Sequence, residues 1–534
     1  MGVQNSKRQI ITPLIISISI IIGMMIGMRI QPVAKDDRFV IVPRTDKLNG
    51  VVNYIVSDYV DSINKDEMVE DMIPKILEDL DPHSVYIPAK DLTAVNEPLE
   101  GNFSGIGVQF NMQNDTVAII KTIPNGPSEK VGILAGDRIT IVDGDTVAGK
   151  KMGSDKIVKM LKGPRGTHVN VGIKRRGVDE TLFFDIVRDN IPLYSVDVSY
   201  MVSDNTGFIK ISKFARTTMQ EFVKAVTDLK NQNATNLIID LRDNGGGLLD
   251  QATQMADQFF SGNELLVYTQ GNARPRQEIR ASNRGLCADM KIVVLMNEWS
   301  ASASEIIAGA IQDNDRGLII GRRSFGKGLV QETKMLNDRS ALRLTIARYY
   351  TPAGRCIQKS YENGHGDYYK DLSERYLHGE FLDSDSIDFA DSLKYYTANG
   401  KVVYGGGGIM PDVFVPMDTV GMTSFYMTVR NKGLIYKFAF NYTDDHRSDL
   451  KDLVAVDEII DYLDHNFDIK DFIRYAKSQK VIPSKEDLTK SESLLKTQIY
   501  AYIARNVIDN DGFYPIIQSI DQTLQVALDK IEEE

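Results

Sequence analysis

Between residues 191 and 418, short apolar runs alternate along the chain with segments whose apolar residues recur at helical spacing. Alternating strands and helices of this kind favour an α/β core. The predicted strands are rich in β-branched residues and read TGFIKIS, NLIIDLRD, KIVVLMN, GLIIGRR and SALRLTIARYY. The predicted helices between some of them read TTMQEFVKAVTDLKNQ, LDQATQMADQFF and SASEIIAGAIQDN. We therefore predict one α/β domain over residues 191–418.

Two flanking regions have mostly helical patterns. Residues 36–100 contain KLNGVVNYIVSDYVDSI and DEMVEDMIPKILEDL and close in the turn LDPHSVYIPAKD. They predict an N-terminal helical module, in which we interpret His83 as structural. Residues 419–534 return to helical periodicity after the turn GGGGIMPDVFVP. No chemistry is evident in this helical C-terminal extension, and its role is left open between dimerisation and a lid.

Residues 101–177 consist of short β-rich runs separated by glycine turns. The ordered set of strands, turns and one helix, SDKIVKMLKG, resembles a PDZ domain. The resemblance implies that a protein C-terminus binds as an added strand, with its carboxylate on the backbone N–H groups of a glycine loop. An ordinary β-hairpin with glycines at its turns is the alternative. The residues that match the loop are Ser104, Gly105, Ile106, Gly107 and Val108.

Composition excludes some classes of function. The formal net charge of −11 argues against nucleic acid as a partner, because such a partner requires a basic face. Two cysteines, Cys287 and Cys356, are too few for a disulfide framework or a cysteine-rich zinc site. We expect neither a metal nor another cofactor.

The N-terminus carries an uncharged apolar run at residues 11–28 that is long enough to cross a bilayer as a helix. No small-x-small cleavage site follows it, so we predict a retained transmembrane signal anchor over a cleaved signal peptide. Lys7 and Arg8 favour a cytoplasmic location for residues 1–10. The rest of the chain is then expected on the periplasmic or extracytoplasmic side of the cell (inner) membrane.

The segment GRRSFGKG at residues 321–328 nearly matches the phosphate-binding pattern G-x-x-x-x-G-K-[ST]. Gly328 lacks the hydroxyl that would hold Mg²⁺ at the last position. The sequence after it, LVQETKM, reads as a strand, whereas phosphate binding needs the N-terminus of a helix there. We therefore reject nucleotide binding.

Lys327 within this segment is a candidate general base. The period of two places it with Gln331 on one face of the predicted strand. Burial would disfavour the charged amine and lower its pKa from about 10.4. None of the six histidines lies in the strand and helix units around the serines considered next, although triads can assemble from distant residues. A lysine of lowered pKa is thus the economical proton acceptor for a serine.

Three serines, Ser300, Ser302 and Ser304, stand at alternate positions near the start of a predicted helix. Ser302 and Glu305 match the S-x-x-E capping box, so an ordinary helix cap is one explanation. A nucleophile is the other, because a helix N-terminus presents free N–H groups and a positive dipole to a developing oxyanion. A second N–H donor could come from the glycine turn at residues 245–247.

Together these motifs resemble the C-terminal processing peptidases, also called tail-specific proteases. The resemblance covers about residues 47–418 and implies a crotonase-like β/α-superhelix with an inserted PDZ domain and a serine-lysine dyad that hydrolyses peptide bonds. It makes Ser302 the nucleophile, Lys327 the general base and Gln331 a residue that orients the lysine. The oxyanion hole maps to the backbone N–H groups of Ala303 and Gly246. The motifs are NEWSASASEIIAGAIQDN, GRRSFGKGLVQ, LTIARYYTPAGRCIQ, GIMPD and LDPHSVYI.

Two features depart from a simple transfer of the family's pattern. The glycine turn reads DNGGG at residues 243–247, where the family commonly has Asn-Asn-Pro-Gly-Gly, and the missing proline makes the loop less preorganised. Asp313 follows Ser302 by eleven residues, about 16 Å along a helix, so we interpret it as a structural or indirect contributor.

The sequence thus predicts a membrane-anchored serine endopeptidase that cleaves extracytoplasmic proteins and recognises their C-terminal tails through the PDZ domain. Its expected partners are protein or peptide substrates and, through the N-terminal helix, the membrane. A homo-oligomer or an activating partner is left open. The alternative is a catalytically silent PDZ scaffold that only binds tails, and the presence of Ser302, Lys327 and Gln331 argues against it.

Overall fold

The computed structural model describes residues 46–533 except residues 114 and 389. The predicted signal anchor at residues 11–28 lies outside the described residues. Among the helices that are described, none combines the length and apolar character that a bilayer span requires. The described residues divide into two units, with the boundary between Lys75 and Ile76.

The described part of the first unit is helical, as its periodicity predicts. It contains the helix Lys47–Asp58 and most of the helix Lys65–Glu78. Lys65 Nζ donates a hydrogen bond of 2.7 Å to Asn53 Oδ1 and so links the two helices. The prediction of a single helical module over residues 36–100 needs correction, because the second unit begins at Ile76 and its strand Val85–Ile87 pairs within a sheet of that unit.

A six-stranded sheet, the central sheet, lies at the middle of the second unit. Its first two strands are antiparallel and the remaining neighbours are parallel. Parallel strands require crossover connections, and the predicted helices Thr218–Asn231, Leu249–Asp257 and Ala303–Asp313 follow three of the strands. In spatial order the strands are Val196–Met201, Thr206–Ile211, Asn236–Asp240, Lys291–Met296, Leu318–Gly321 and Val413–Phe414.

Alternate side chains of the central sheet enter two apolar clusters, one on each face. Ile239 and Val294 pack with the three crossover helices on one face. Ile238 and Val293 point to the other face, where the last helix, Gln522–Glu533, covers them. The C-terminal extension therefore completes the core, which explains why these strands are apolar at consecutive positions.

A second sheet, the flanking sheet, has five strands. Leu329–Met335 is one of them, so a strand does follow Gly328, as the rejection of nucleotide binding supposed. Lys327 precedes this strand, and a β-bulge between Val330 and Gln331 interrupts the alternation that the sequence argument used. The other four strands, in spatial order, are Val85–Ile87, Ala341–Tyr350, Leu265–Gln270 and Gln277–Arg280.

A third sheet, the insert sheet, is formed by the region predicted at residues 101–177. It continues past residue 177, because the strand Leu182–Val187 pairs with His168–Lys174 in the same sheet. A two-stranded ribbon of Asn102–Gly105 and Asp189–Pro192 joins the entry and exit of the insert. The remaining elements of the insert are Val108–Gln113, Thr116–Thr122, Arg138–Val142, Asp145–Thr146 and the helices Pro127–Lys130 and Ser154–Leu161.

The C-terminal extension is helical, as predicted. It contacts the insert sheet, where Phe440 packs on Ala118 and Ile120 and Arg138 pairs with Asp444 at 2.8 Å. It also contacts the central sheet through its last helix, so it bridges two parts of the second unit. Its helices are Ser424–Asn431, Leu434–Asp445, Arg447–Leu450, Val456–Asn466, Ile469–Ser478, Lys485–Ile508, Asn510–Gln518 and Gln522–Glu533. The other elements are the helices Leu92–Glu100, His365–Leu377, Ser384–Ser386 and Asp391–Leu393 and a ribbon of Lys394–Tyr396 with Val402–Tyr404.

Candidate active site

Ser302 occupies a sharp turn between the strand Lys291–Met296 and the helix Ala303–Asp313. Its backbone has φ 56° and ψ −111°, a conformation that a residue with a side chain rarely adopts. Two hydrogen bonds stabilise the turn: Ser302 N–H donates to Glu305 Oε2 at 2.7 Å, and Ala301 N–H donates to the Asn244 carbonyl at 3.0 Å. Ser302 and Glu305 form the predicted capping box, with the Ser302 side chain near the Glu305 N–H, but that N–H donates to the Ser302 carbonyl at 2.9 Å and the hydroxyl makes no capping hydrogen bond. The hydroxyl is therefore not committed to the helix cap.

The two neighbouring serines are used structurally. The Ser300 hydroxyl donates to the Leu241 carbonyl at 2.8 Å, and that of Ser304 donates to the Asn244 carbonyl at 2.9 Å. Both side chains are fully buried. Of the three serines, Ser302 is thus the one whose hydroxyl is left for chemistry.

Glu305 joins the serine turn to the segment that carries Lys327. Its fully buried carboxylate accepts the N–H groups of Ser302, Gly326 and Lys327 and the hydroxyl of Ser324, at 2.6 to 2.9 Å. Burial raises the pKa of Glu305 to about 7, although all four hydrogen bonds act in the opposite direction. The capping-box pattern identified Glu305 as the partner of Ser302, but not the three contacts across to residues 324–327.

Lys327 and Ser302 line the same cavity of about 260 Å³. The Tyr349 hydroxyl lies 3.1 Å from the Ser302 carbonyl oxygen and 2.7 Å from that of Lys327, which ties the two backbones together. Burial lowers the pKa of the Lys327 amine, and the Arg343 guanidinium lowers it further, while Glu305 and Asp81 act to raise it. The amine is therefore easier to deprotonate than that of an exposed lysine.

Gln331 also lines this cavity, as its predicted role requires. Its Nε2 lies 3.4 Å from Thr345 Oγ1, and the Thr345 hydroxyl donates to Asp81 Oδ1 at 3.0 Å. Asp81 belongs to the LDPHS motif, where it also accepts the N–H groups of His83 and Ser84. The motif therefore supports the side of the cavity that holds Gln331.

His83 is near the lysine but is a poor base. Burial, together with the charge of Lys327, lowers the pKa of His83 to about 3. Its Nε2 lies 2.9 Å from the Tyr368 hydroxyl. This agrees with the interpretation of His83 as a structural residue.

The glycine turn approaches Ser302 closely but corrects one assignment. The Gly246 N–H donates to the Asn244 side-chain oxygen at 2.9 Å, so it is already engaged. Gly245 and Gly247 line the cavity, together with Ala303, whose N–H has no partner within its own helix. The predicted pairing of Ala303 with Gly246 as oxyanion donors therefore fails at the glycine, because the Asn244 side chain folds back onto it.

The predicted loop of the insert lies in another part of the molecule. Ser104 and Gly105 end the ribbon strand, and the Ile106 carbonyl accepts the N–H of Ser128 at 3.0 Å and its hydroxyl at 2.6 Å. The strand Val108–Gln113 that follows is the edge of the insert sheet and pairs only with Thr116–Thr122 among the described residues. Its Val108, Phe110 and Met112 belong to the same apolar cluster as Ile157 and Leu161 of the neighbouring helix.

The cysteines and acidic groups add no further chemistry to the cavity. Cys287 and Cys356 are free thiols. Asp313 is fully buried and pairs with Arg355 at 2.6 Å, which accords with its structural interpretation. Within the part of the chain that is described, no cluster of three or more histidine, cysteine, aspartate or glutamate side chains could hold a metal ion.

A serine hydroxyl without a capping bond at a helix N-terminus, in one cavity with an amine of lowered pKa, is the arrangement expected of a serine hydrolase. Comparison with known sequences gives the family. The sequence model described as Peptidase family S41 matches residues 205–364, and the one described as PDZ domain matches residues 104–186. A carboxy-terminal-processing protease of Bartonella bacilliformis is 35% identical over 316 residues, which cover 58% of this chain and 72% of that protein. This chain therefore belongs to the carboxy-terminal processing proteases, which are serine proteases.

A second curated relative agrees with that family. The carboxy-terminal processing protease CtpA of Bacillus subtilis is 34% identical over 316 residues, 59% of this chain and 66% of that protein. A solved photosystem II D1 C-terminal processing protease is 25% identical, covers 70% of this chain and 94% of its own, and has a TM-score of 0.36. A model described as a family of unknown function (DUF8443) matches residues 425–509 of the extension. The predicted α/β peptidase core with an inserted PDZ domain is confirmed by the family matches.

The contact between Gly246 and the serine turn predicts a specific loss of activity. A Cβ at Gly246 would lie 2.8 Å from the Ala301 carbonyl oxygen and from Ser302 Cβ. We expect Gly246→Ala to lower kcat/KM about 100-fold, because a displacement of about 1 Å in an active site can have that effect. Gly144→Ala is the matched control, since Gly144 also has positive φ but open space around it. Equal activity of the two variants would contradict the argument.

The environment of Lys327 predicts how activity depends on pH. A lysine accepts a proton only when neutral, so kcat/KM should rise as pH approaches the lowered pKa of Lys327. Arg343→Gln removes a positive charge that disfavours the ammonium form. The pKa of Lys327 then rises, and the acidic limb of the pH profile should shift to higher pH. Arg284→Gln, at an exposed arginine, should leave the limb in place, and an unshifted limb in Arg343→Gln would be contrary to this account.

Proposed function

We propose that this protein is a membrane-anchored endopeptidase in which Ser302 attacks the peptide carbonyl and Lys327 accepts its proton. The observation that carries the proposal is the shared cavity: it contains the free hydroxyl of Ser302 and the half-buried amine of Lys327, and Glu305 links their two backbones. Serine peptidases with a lysine base need this proximity and a lowered lysine pKa.

In the proposed reaction, neutral Lys327 removes the hydroxyl proton as Ser302 Oγ bonds to the substrate carbonyl carbon. The resulting oxyanion is stabilised by the N–H of Ala303, at the positive end of its helix, and by an N–H of Gly245 or Gly247. Collapse of this intermediate breaks the C–N bond, and the lysine ammonium returns its proton to the leaving amine. Water then cleaves the acyl-serine with the lysine again acting as base.

The cavity walls suggest what the site accepts beside the scissile bond. Leu248, Leu249, Ile306 and Val330 line it on the apolar side. A small apolar substrate side chain would bury well against them. Gln331, supported through Thr345 and Asp81, would hold the lysine amine toward the serine.

The PDZ domain is proposed to bind the C-terminal tail of a substrate. Its edge strand Val108–Gln113 has no second strand partner among the described residues, and a glycine loop precedes it. A tail could add to this strand while its carboxylate meets the loop at residues 104–108. Substrate delivery and control of activity are both compatible with that binding.

The dyad is tested with the full chain and an unfolded reporter protein, by comparing wild type with Ser302→Ala and Lys327→Ala. Both variants should lose at least ~10³-fold in kcat/KM, as is typical when a member of a catalytic unit is removed. Ser478→Ala is the matched control, since Ser478 is exposed and does not line the cavity. A reporter whose terminal carboxylate is amidated should bind the full chain more weakly. Full turnover by Lys327→Ala would refute the proposed base.

Membrane anchoring is proposed from the apolar run at residues 11–28 alone. In cells that express the full chain, the protein should stay with the membrane fraction after alkaline carbonate extraction. External protease should degrade it only once the outer barrier is opened. A chain that lacks residues 1–35 should be recovered from the soluble fraction, and release of the full chain by carbonate would contradict the anchor.

A further inference from the structure

The C-terminal extension contacts the peptidase core at a largely buried charge cluster directly before the glycine turn. The cluster contains two acidic and two basic side chains, which are Lys210, Asp240, Arg242 and Asp521. Asp240 is the last residue of its strand, and Arg242 begins the loop that leads to Gly245. Asp521, which precedes the last helix, is the member that comes from the extension.

Arg242 is held between the two carboxylates. Its Nη1 and Nη2 donate to the two oxygens of Asp521 at 3.0 and 2.6 Å, and its Nε and Nη2 donate to those of Asp240 at 3.0 and 2.7 Å. Burial by itself would lower the pKa of Arg242, but Asp240 and Asp521 raise it well above its usual value. The guanidinium is thus satisfied on both edges by paired hydrogen bonds, the strongest geometry for this group.

Lys210 supplies the second positive charge. It lies 3.2 Å from Asp240 and donates to the Arg242 carbonyl at 2.5 Å. The four side chains therefore balance in charge, and removal of Asp521 leaves one uncompensated positive charge in a buried place.

Asp521 is itself held rigidly. Its Oδ1 accepts the N–H groups of Thr523 and Leu524 at 3.0 and 3.1 Å, as an N-cap of the last helix. Leu524 is buried against the central sheet in the apolar cluster of that helix. The carboxylate is thus fixed to the same sheet from which the glycine turn extends.

The loop after Arg242 lies directly against the serine turn. Asp243 and Asn297 exchange two hydrogen bonds of 2.9 Å. The Asn244 carbonyl accepts the N–H of Ala301 and the hydroxyl of Ser304. A shift of Arg242 would therefore move the glycine N–H groups relative to Ser302.

We infer that Asp521 is a positioning residue for peptide hydrolysis: by holding Arg242 against Asp240, it sets the place of the glycine turn that faces Ser302. The last helix of the extension is then part of the catalytic unit of this protein. This inference rests on the proposed function, because the proposed function is what assigns oxyanion stabilisation to the glycine turn.

The test compares the full chain with Asp521→Asn, which keeps the shape of the side chain and removes its charge. We expect kcat to fall about 10- to 100-fold, which is at most the effect of removing one oxyanion donor. The KM for a short peptide should change less than about threefold. The affinity for a peptide aldehyde, which forms a tetrahedral adduct with the serine, should fall by the same factor as kcat. Asp529→Asn, on an exposed turn of the same helix, should behave as wild type.

Two further variants separate positioning from simple loss of folding. Asp521→Glu, which restores the charge, should recover at least half of the lost activity on a logarithmic scale. In an Arg242→Gln background, Asp521→Asn should lower kcat less than twofold more, because its partner is gone. Rates are divided by the concentration of folded sites, obtained by titration with a covalent serine reagent.

Several results would overturn the inference. Unchanged kcat and aldehyde affinity in Asp521→Asn would exclude a positioning role. A fall in kcat that disappears once rates are divided by the concentration of folded sites would also exclude it. The same holds if the effects of Asp521→Asn and Arg242→Gln on kcat are fully additive. Failure of the proposed function is recognised separately, because it requires that Ser302→Ala or Lys327→Ala still cleaves the reporter.

Discussion

The carboxylate of Glu305 joins the serine turn to residues 324–327, and the proposed chemistry requires these two segments to meet. On one side it accepts the N–H of Ser302, and on the other it accepts donors from Ser324, Gly326 and Lys327. A buried carboxylate is stable only while its donors remain in place, so loss of any one would leave a costly unsatisfied group. The same bonds hold Ser302 in a backbone conformation that costs on the order of 1–3 kcal/mol by itself.

The layers around this carboxylate prevent the site from relaxing. Every residue of the helix Ala303–Asp313 is buried, so its N-terminus cannot shift without disturbing the packing on several sides. The central sheet supplies the strand before Ser302 and the strand before the glycine turn, and these two strands are direct neighbours. Parallel strands that end at the same edge bring both turns together, as is usual for sites on α/β sheets.

Much of the peptidase core could be predicted from sequence, because its information is local. Apolar periodicity located the strands Asn236–Asp240 and Lys291–Met296 and the helix between Ser302 and Asn314. The near match to a phosphate loop was rejected for the right reason, since Leu329–Met335 is a strand. The apolar run that predicts a membrane anchor is an equally local signal, but it lies outside the described residues.

Other predictions failed where a side chain acts on a distant backbone. The oxyanion glycine was misassigned because nothing in the sequence indicates that the Asn244 side-chain oxygen accepts the Gly246 N–H. Lys327 and Gln331 do line one cavity, but a bulge at Val330 interrupts the alternation from which this was inferred. The N-terminal module was drawn too long, because helical periodicity does not reveal that Val85–Ile87 pairs with a strand more than 250 residues later.

The sequence by itself determined the types of residue that can react and the elements that present them: a serine at a helix start, a lysine among glycines and an apolar strand before each. Only the tertiary structure decided which of the three serines keeps a free hydroxyl and that burial lowers the pKa of Lys327. It also decided that the last helix closes the core. The physical reason is that periodicity and capping depend on neighbours within a few residues. Desolvation, hydrogen-bond satisfaction and charge balance depend instead on groups that folding brings together from the whole chain.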